Sequence, residues 1–436
     1  MMRSMYSGVS GLRIHQTKMD VIGNNIANVN TVGFKSSRVT FSEVFSQTLQ
    51  SASGANENTG GTNPMQIGLG ANISSIDVAM TEGAAQRTDN PLDMKIEGDG
   101  FFVVSNITGN MFTRAGAFRL DNAGNLVTPE GLNVMGWYPD PTSGEIAKTT
   151  VQKMQILNPD NLYSEPTFTT EATMQGNVNK NDTQLIATNG GVPFTMNIYD
   201  SLGYPYTVEM TLVSSATPNT YNVLLPANSI TDQNGNTIGN NAIGNTNIPS
   251  TLTFDPATGK VTNADPTFMI ENITTNFSTF PAAGIKVDFS SVTLFSGNTT
   301  LEASAGDKNG LGAGNKAGSI SGYEIGGDGK ILGRYTNGQT KLLGQLVIAT
   351  FQNPAGLQKV GDNLFQATNN SGEFDGIGSD VTSNGGSFNS GVLEMSNVDL
   401  SKEFTEMITT QRGFQANSRI ITSSDEMLQE LVNLKR

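Results

Sequence analysis

The stretch "MYSGVSGLRIHQTKMDVIGNNIANVNTVGFK", residues 5–35, reads as a helix that carries amides where an apolar face should still be running. Met5, Leu12, Met19 and Ile26 recur at strict sevenfold spacing, with Val9, Ile22 and Val29 beside them. A sustained seven-residue repeat marks a helix that packs along a coiled-coil-like seam. Asn24, Asn25, Asn28 and Asn30 crowd its last turns, although an asparagine amide competes for the backbone and weakens a helix interior. Asn28 or Asn30 can serve as a left-handed C-cap, which explains one of the four.

The other end of the chain mirrors this pattern. Leu400, Met407, Phe414, Ile421 and Leu428 form a second sevenfold column. Asp399 is placed as its N-cap, Glu403 and Glu406 favour its start, and Lys435 and Arg436 favour its end. The positions four beyond each column member are Phe404, Gln411, Ser418, Asp425 and Val432, polar in the middle. The expectation is a helix surrounded by several neighbours, some of them polar. One narrow apolar column does not offset the entropy of ordering so long a helix, so ordering of both ends is expected to be coupled to assembly.

Between the helices the period changes from seven to two. "FRLDNAGNLVT" (118–128), "IYDSLGYPYTVEMTL" (198–212), "LTFDPATGKVT" (252–262) and "YEIGGDGKILGRY" (323–335) read as hairpins, with Asp or Asn opening each turn and Gly supplying positive φ. Residues 50–66 and 369–391 are rich in Gly, Asn and Ser and read as linkers just inside the terminal helices. Residues 231–249 read as a loose surface loop.

The 436 residues are too many for one core, and 49 glycines with only 15% charged residues suit turns and half-exposed strands. A net charge of −14 argues against nucleic acid, although residues 1–45 hold five bases against two acids, a local +3. Residues 396–436 carry five bases against six acids, a net −1. No cysteine is present, which removes disulfides and thiolate chemistry. No apolar run is long enough to span a membrane, and charges at Arg3, Arg13, Lys18 and Asp20 interrupt any signal-peptide apolar region.

Enzyme chemistry finds no foothold. His15 is the only histidine, so a serine triad would have to be built inside the first helix and two-histidine zinc patterns are impossible. Asp232, Asn234 and Asn236 imitate a calcium loop, but Thr237 stands where Gly is needed and Ile243 where the bidentate Glu belongs. The glycine-rich 310–318 completes no phosphate-binding motif. The enzyme alternative is a secreted β-rich carbohydrate-active protein, whose two carboxylates need no local motif. No cofactor and no metal is expected.

With these residues laid out, the chain resembles the bacterial flagellar rod and hook axial proteins, the hook proteins most closely. The resemblance rests on 7–35 and 391–434 at the two ends, and on 92–104, 112–137 and 335–365 between them. It implies an α+β multidomain protein, with paired coiled-coil-like terminal helices forming an inner layer and two mainly β domains inserted between them. The boundaries expected are an inner core from 1–49 and 396–436, linkers at 50–75 and 371–395, a middle β domain from 76–155 and 296–370, and an outer β domain at 156–295. The implied function is a structural subunit of a flexible tubular joint that transmits motor torque, with a rod protein as the near rival. Implied partners are further copies of the chain, the rod and hook–filament junction proteins, the hook cap and the type III export apparatus, which delivers subunits outside the cell without a cleaved signal. The assembly seam is then Met5, Leu12, Met19, Ile26, Leu400, Met407, Phe414, Ile421 and Leu428. Asn24, Asn25, Asn28, Gln411, Asn417 and Arg419 are expected to fix register through polar contacts, as a buried Asn does in coiled coils.

Overall fold

In the computed structural model, residues 2–54, 60–107, 109–226, 229–237, 250–263, 266–270, 273, 279–281 and 283–434 are described. The sevenfold patterns become the two long helices, Met2–Ala27 and Leu400–Asn433. Asp399 caps the second, accepting from the backbone N–H of Ser401 at 2.9 Å and Lys402 at 3.3 Å. Lys435 and Arg436 lie outside the described residues. Among the described residues, nearly all the regular structure between the helices is β strand.

The described chain divides into two compact units. The first comprises 1–158, 323–332 and 342–436, and holds both helices. Its β part is antiparallel: Phe101–Asn106 pairs with Gly109–Thr113 and Asn133–Trp137, and Gly109–Thr113 pairs with Leu364–Gln366. Phe101, Val103, Phe112, Trp137, Leu357 and Phe365 form a core there. Trp137, the only tryptophan, donates its indole N–H to the carbonyls of Thr149 and Ile377.

The second unit comprises 159–322 and 333–341. Strands Thr267–Ile270, Ile285–Thr293, Glu171–Asn177 and Thr300–Ala305 lie in that order in one sheet, with 171–177 and 285–293 parallel. A second sheet is built on Val192–Tyr199, Pro205–Ser214 and Thr220–Leu224. Inward residues of both sheets, among them Met174, Phe194, Ile198, Leu212 and Phe289, share one core. Residues 192–198 alternate buried and exposed, as period two requires.

Three boundary expectations are corrected. Thr300–Ala305 pairs with Glu171–Asn177, so the central unit runs past residue 295 to 322. That strand, TLEASA, alternates Leu301, Ala303 and Ala305 with polar residues, but its inward side chains are few and mostly small, a weak signal for a strand. The described residues of 50–75 are no linker either: Ser46–Gln50 pairs with Met65–Gly68, and Ser37–Glu43 with Ala71–Val78, as an antiparallel ribbon. Nor is 371–395, because Ser387–Ser390 pairs with Met94–Glu97 and Val392–Glu394 with Ala85–Arg87, with Val381 and Phe388 buried. Cross-strand pairing overrode a composition that is turn-rich on its own. Most of the loop expected at 231–249 lies outside the described residues, as does Ile243.

The hairpin turns are Asp-built. Asp121 accepts from the N–H of Ala123 and Asn125, Asp232 from Asn234 and Asn236, and Asp307 from Asn309 and Leu311, all at 2.7–2.9 Å. These bonds hold the three carboxyls below their ordinary range: a side-chain bond from Asn125 acts most on Asp121, the backbone N–H of Asn236 on Asp232, and that of Leu311 on Asp307. A depressed carboxyl contributes stability that is present above its unfolded pKa, about 3.9, and lost as pH falls through the folded value. The melting temperature followed by circular dichroism should therefore drop below about pH 4. Asp232→Asn with Asp307→Asn should flatten that slope, and an unchanged slope would show that these turns do not contribute to it.

Candidate functional site

The two terminal helices pack antiparallel within the first unit. Ser4 meets Ser424 at 3.4 Å, Lys18 pairs with Glu406 at 3.1 Å, and Asn25 Nδ2 donates to Glu403 Oε1 at 3.2 Å. Between these points side chains of one helix fill the space left by glycines of the other. A methyl group at Gly11 would sit 2.7–2.8 Å from the amide atoms of Asn417, and one at Gly413 would sit 2.7 Å from the His15 ring. Ile421 leans on Gly8 in the same way, at 3.2 Å. The seam therefore runs through Ser4, Gly8, Gly11, His15, Lys18 and Asn25, a three–four spacing of small and polar residues.

Met5, Leu12, Met19 and Ile26 lie close to this line and are half-buried. On the second helix Met407, Phe414, Ile421 and Leu428 are half-buried, while Leu400 is exposed. The seam's second line on this helix is Glu403, Thr410, Asn417 and Ser424, three beyond each column member. The expected line four beyond faces solvent: Phe404, Gln411, Ser418, Asp425 and Val432 are all exposed. The glycines opposite admit Asn417 and the residues in its register, which turns the partner helix to that side.

The asparagines separate by role. Asn25 is buried, accepting from Ser37 N–H at 3.0 Å and donating to Ser37 O at 2.8 Å, so it staples the helix end to the first ribbon strand. Asn28 Nδ2 donates to the Asn24 carbonyl at 2.9 Å, and Asn24 itself is exposed. Neither Asn28 nor Asn30 has positive φ; the left-handed residue after the helix is Gly33, at φ 68°. The C-cap expectation is thus corrected: the Asn28 side chain satisfies the helix end without a left-handed turn. Asn417 Nδ2 donates to Gly413 O at 3.0 Å, while Gln411 and Arg419 are exposed.

Below the helix pair lies a buried ion cluster. Lys35 Nζ is 2.7 Å from Glu394 Oε1 and donates to Thr81 O at 2.6 Å. Arg114 Nη1 stands 3.5 Å from Glu394 Oε2, and its Nη2 donates to Gly98 O at 2.8 Å. Gly83 N–H also donates to Glu394 Oε1, at 2.9 Å. Burial pushes the Lys35 ammonium down, and Glu394 pulls it back up. Beside the cluster, a methyl group at Gly33 would sit 2.6 Å from Ala115 N, and Asn397 Oδ1 accepts from Ser36 N–H at 2.8 Å. Lys359 Nζ lies 4.9 Å over the Phe34 ring. The exit of the first helix, a β strand and the entry to the last helix meet at this joint. The sequence reading missed Lys35, Arg114 and Glu394. Their signal was a lone charge set among Gly and apolar residues in each of "GFK", "FTRAG" and "VLEM".

Known proteins resemble the chain throughout. The flagellar hook protein FlgE of Borreliella burgdorferi is 39% identical, with 100% of each chain covered. The chain belongs to the flagellar hook protein family. The hook protein of Treponema pallidum is 35% identical, again over 100% of both chains. Family descriptions match in chain order: "Flagella basal body rod protein" at 5–35, "Flagellar hook protein FlgE/F/G D1 domain" at 95–172, "Flagellar basal body protein FlaE D2 domain" at 171–310, and "Flagellar basal body rod FlgEFG protein C-terminal" at 389–434. A Bacillus subtilis protein named flagellar basal-body rod protein FlgG is 32% identical over 100% of both chains, so length alone does not separate hook from rod names. The hook family is one of structural proteins of the flagellum that polymerise, not of enzymes.

Proposed function

We propose that the chain is the building block of a flexible tubular joint at the base of the flagellar filament, passing motor torque through a bend. One observation carries this reading: a chain with two well-filled β cores leaves its long C-terminal helix with Phe404, Ile408, Met427 and Leu431 exposed. Neighbouring copies would cover that surface and complete a coiled-coil-like inner layer. The half-buried columns at Met5, Leu12, Met19, Ile26, Met407, Phe414, Ile421 and Leu428, with exposed Leu400, would supply the apolar contacts. Asn24, Asn28, Gln411 and Arg419 would fix stagger between copies, while Asn25 and Asn417 act mainly within one. The ribbon exposes Phe45, Leu49, Met65 and Ile67, a further face for a neighbouring copy. Export through the type III apparatus, capping during growth, and contacts with rod and junction proteins complete the reading. The hook description rather than the rod one is favoured because the two hook relatives are the more similar.

The central unit is the part that can be removed to test it. Thr167 and Asn315 exchange backbone hydrogen bonds at 3.2 and 2.9 Å, so the two ends of the segment 168–314, which holds both sheets of that unit, lie side by side. Deleting 168–314 and closing the gap with a short glycine link should leave a subunit that polymerises into straighter tubes. Electron microscopy of deleted and full-length tubes is the measurement. Absence of any tube from the full-length chain would overturn the hook reading, and normal curvature after deletion would remove the central unit from bending.

A further inference from the structure

The single histidine sits in the seam of the helix pair, and nothing in the hook reading uses it. Its ring presses on Gly413 of the opposite helix, where even a methyl group would stand 2.7 Å from Cε1 and Nε2. Its Nδ1 is buried and bonded to no partner among the described residues. On the same face of that helix, Thr410 is buried with its hydroxyl also unpartnered. The nearby charges are already engaged or point elsewhere. Lys18, one turn along, is paired with Glu406, and Glu403 accepts from Asn25. Arg13, Asp20 and Arg412 are exposed. On the ribbon beside the helix, Arg38 and Asp77 pair with each other at 3.8 Å, and Glu43 accepts from Ser46.

From this geometry we infer that His15, seated against Gly413, makes the pairing of the terminal helices weaken as pH falls from neutral into the mildly acidic range. A neutral imidazole fits there with Nδ1 dry. The protonated ring needs acceptors for two N–H groups and adds a second cation beside Lys18. Burial first, and then Lys18, hold the imidazole below its ordinary value. The unpaired chain therefore takes the proton first, near pH 6.5. Stability of the pair is complete above that pH and is lost as pH drops toward the paired-state value. One proton limits the loss to about tenfold per pH unit. Glu403, raised by burial, has the opposite sign, since its protonation favours the paired state.

The assembly readout rests on the hook reading, so two measurements keep the ideas apart. The critical concentration of full-length chain in equilibrium with tubes should rise about 3- to 10-fold between pH 7.5 and 5.5. His15→Gln should change by less than about twofold over the same range. A flat wild-type profile, or a His15→Gln profile that tracks the wild type, overturns the inference. Tubes that never form at pH 7.5 count against the hook reading instead. In either case the lone histidine can be titrated directly by nuclear magnetic resonance, in the folded chain and in urea. A folded-state value below the urea value is expected; an equal or higher one overturns the inference.

Discussion

Glu394→Ala is expected to lower the stability of the first unit by about 3–5 kcal/mol. Glu394 is fully buried, and so, nearly, are the two cations it serves, Lys35 and Arg114. Removing the carboxylate leaves both cations without a counter-ion, and it also strips an acceptor from Gly83 N–H. Two buried cations side by side repel in a medium that screens poorly. Lys35 has a partial escape, because burial already favours its neutral form; Arg114 has none. Glu394→Gln keeps the shape and the bond to Gly83 and should fall between wild type and alanine. Trp137 lies in the core of the same unit and is the only tryptophan, so urea unfolding followed by its fluorescence reports the unit alone. A loss below about 1 kcal/mol for Glu394→Ala would show that the cluster is solvated or replaceable, and not the fastening of the joint.

That cluster also marks where sequence reading stopped. Lys35 and Glu394 are 359 positions apart, and no local pattern states that two single charges will meet. Local chemistry was readable wherever it was self-contained. Asp121 and Gly124 announce a turn because the carboxylate and the positive φ act within five residues. Asp399 announces a helix start for the same reason. The helices themselves were legible from period seven, but not which of two flanking lines would close the seam. Gly8, Gly11 and Gly413 look like weak points in a helix. Only with the opposite helix in place do they become seats for Ile421, Asn417 and His15. The asparagines that interrupt the first helix are explained in the same way. Asn25 is bonded on one side to Ser37 and on the other to Glu403, partners supplied by the fold and not by the neighbours in sequence.

Ile421→Asp should abolish tube formation while both β cores stay folded. Ile421 belongs to the apolar column of the C-terminal helix and leans on Gly8, where no side chain of the first helix stands between them. An aspartate there would place a carboxylate against the backbone of the first helix in a half-buried seam. Exchanging the apolar contact for a partly desolvated charge costs on the order of a few kcal/mol, enough to cancel the modest gain from pairing at this seam. In a tube the penalty recurs in every subunit, so a modest cost per seam becomes complete loss of assembly. The β cores share no residue with the helices, so the Trp137 emission and the strand signal in circular dichroism should match the wild type. Ile421→Val, which removes one methylene at about 0.5–1.5 kcal/mol, should still assemble and separates a packing loss from the charge effect. Sedimentation of the polymer with electron microscopy of the pellet is the measurement, and tubes of Ile421→Asp at wild-type yield would show that the column is not the packing seam.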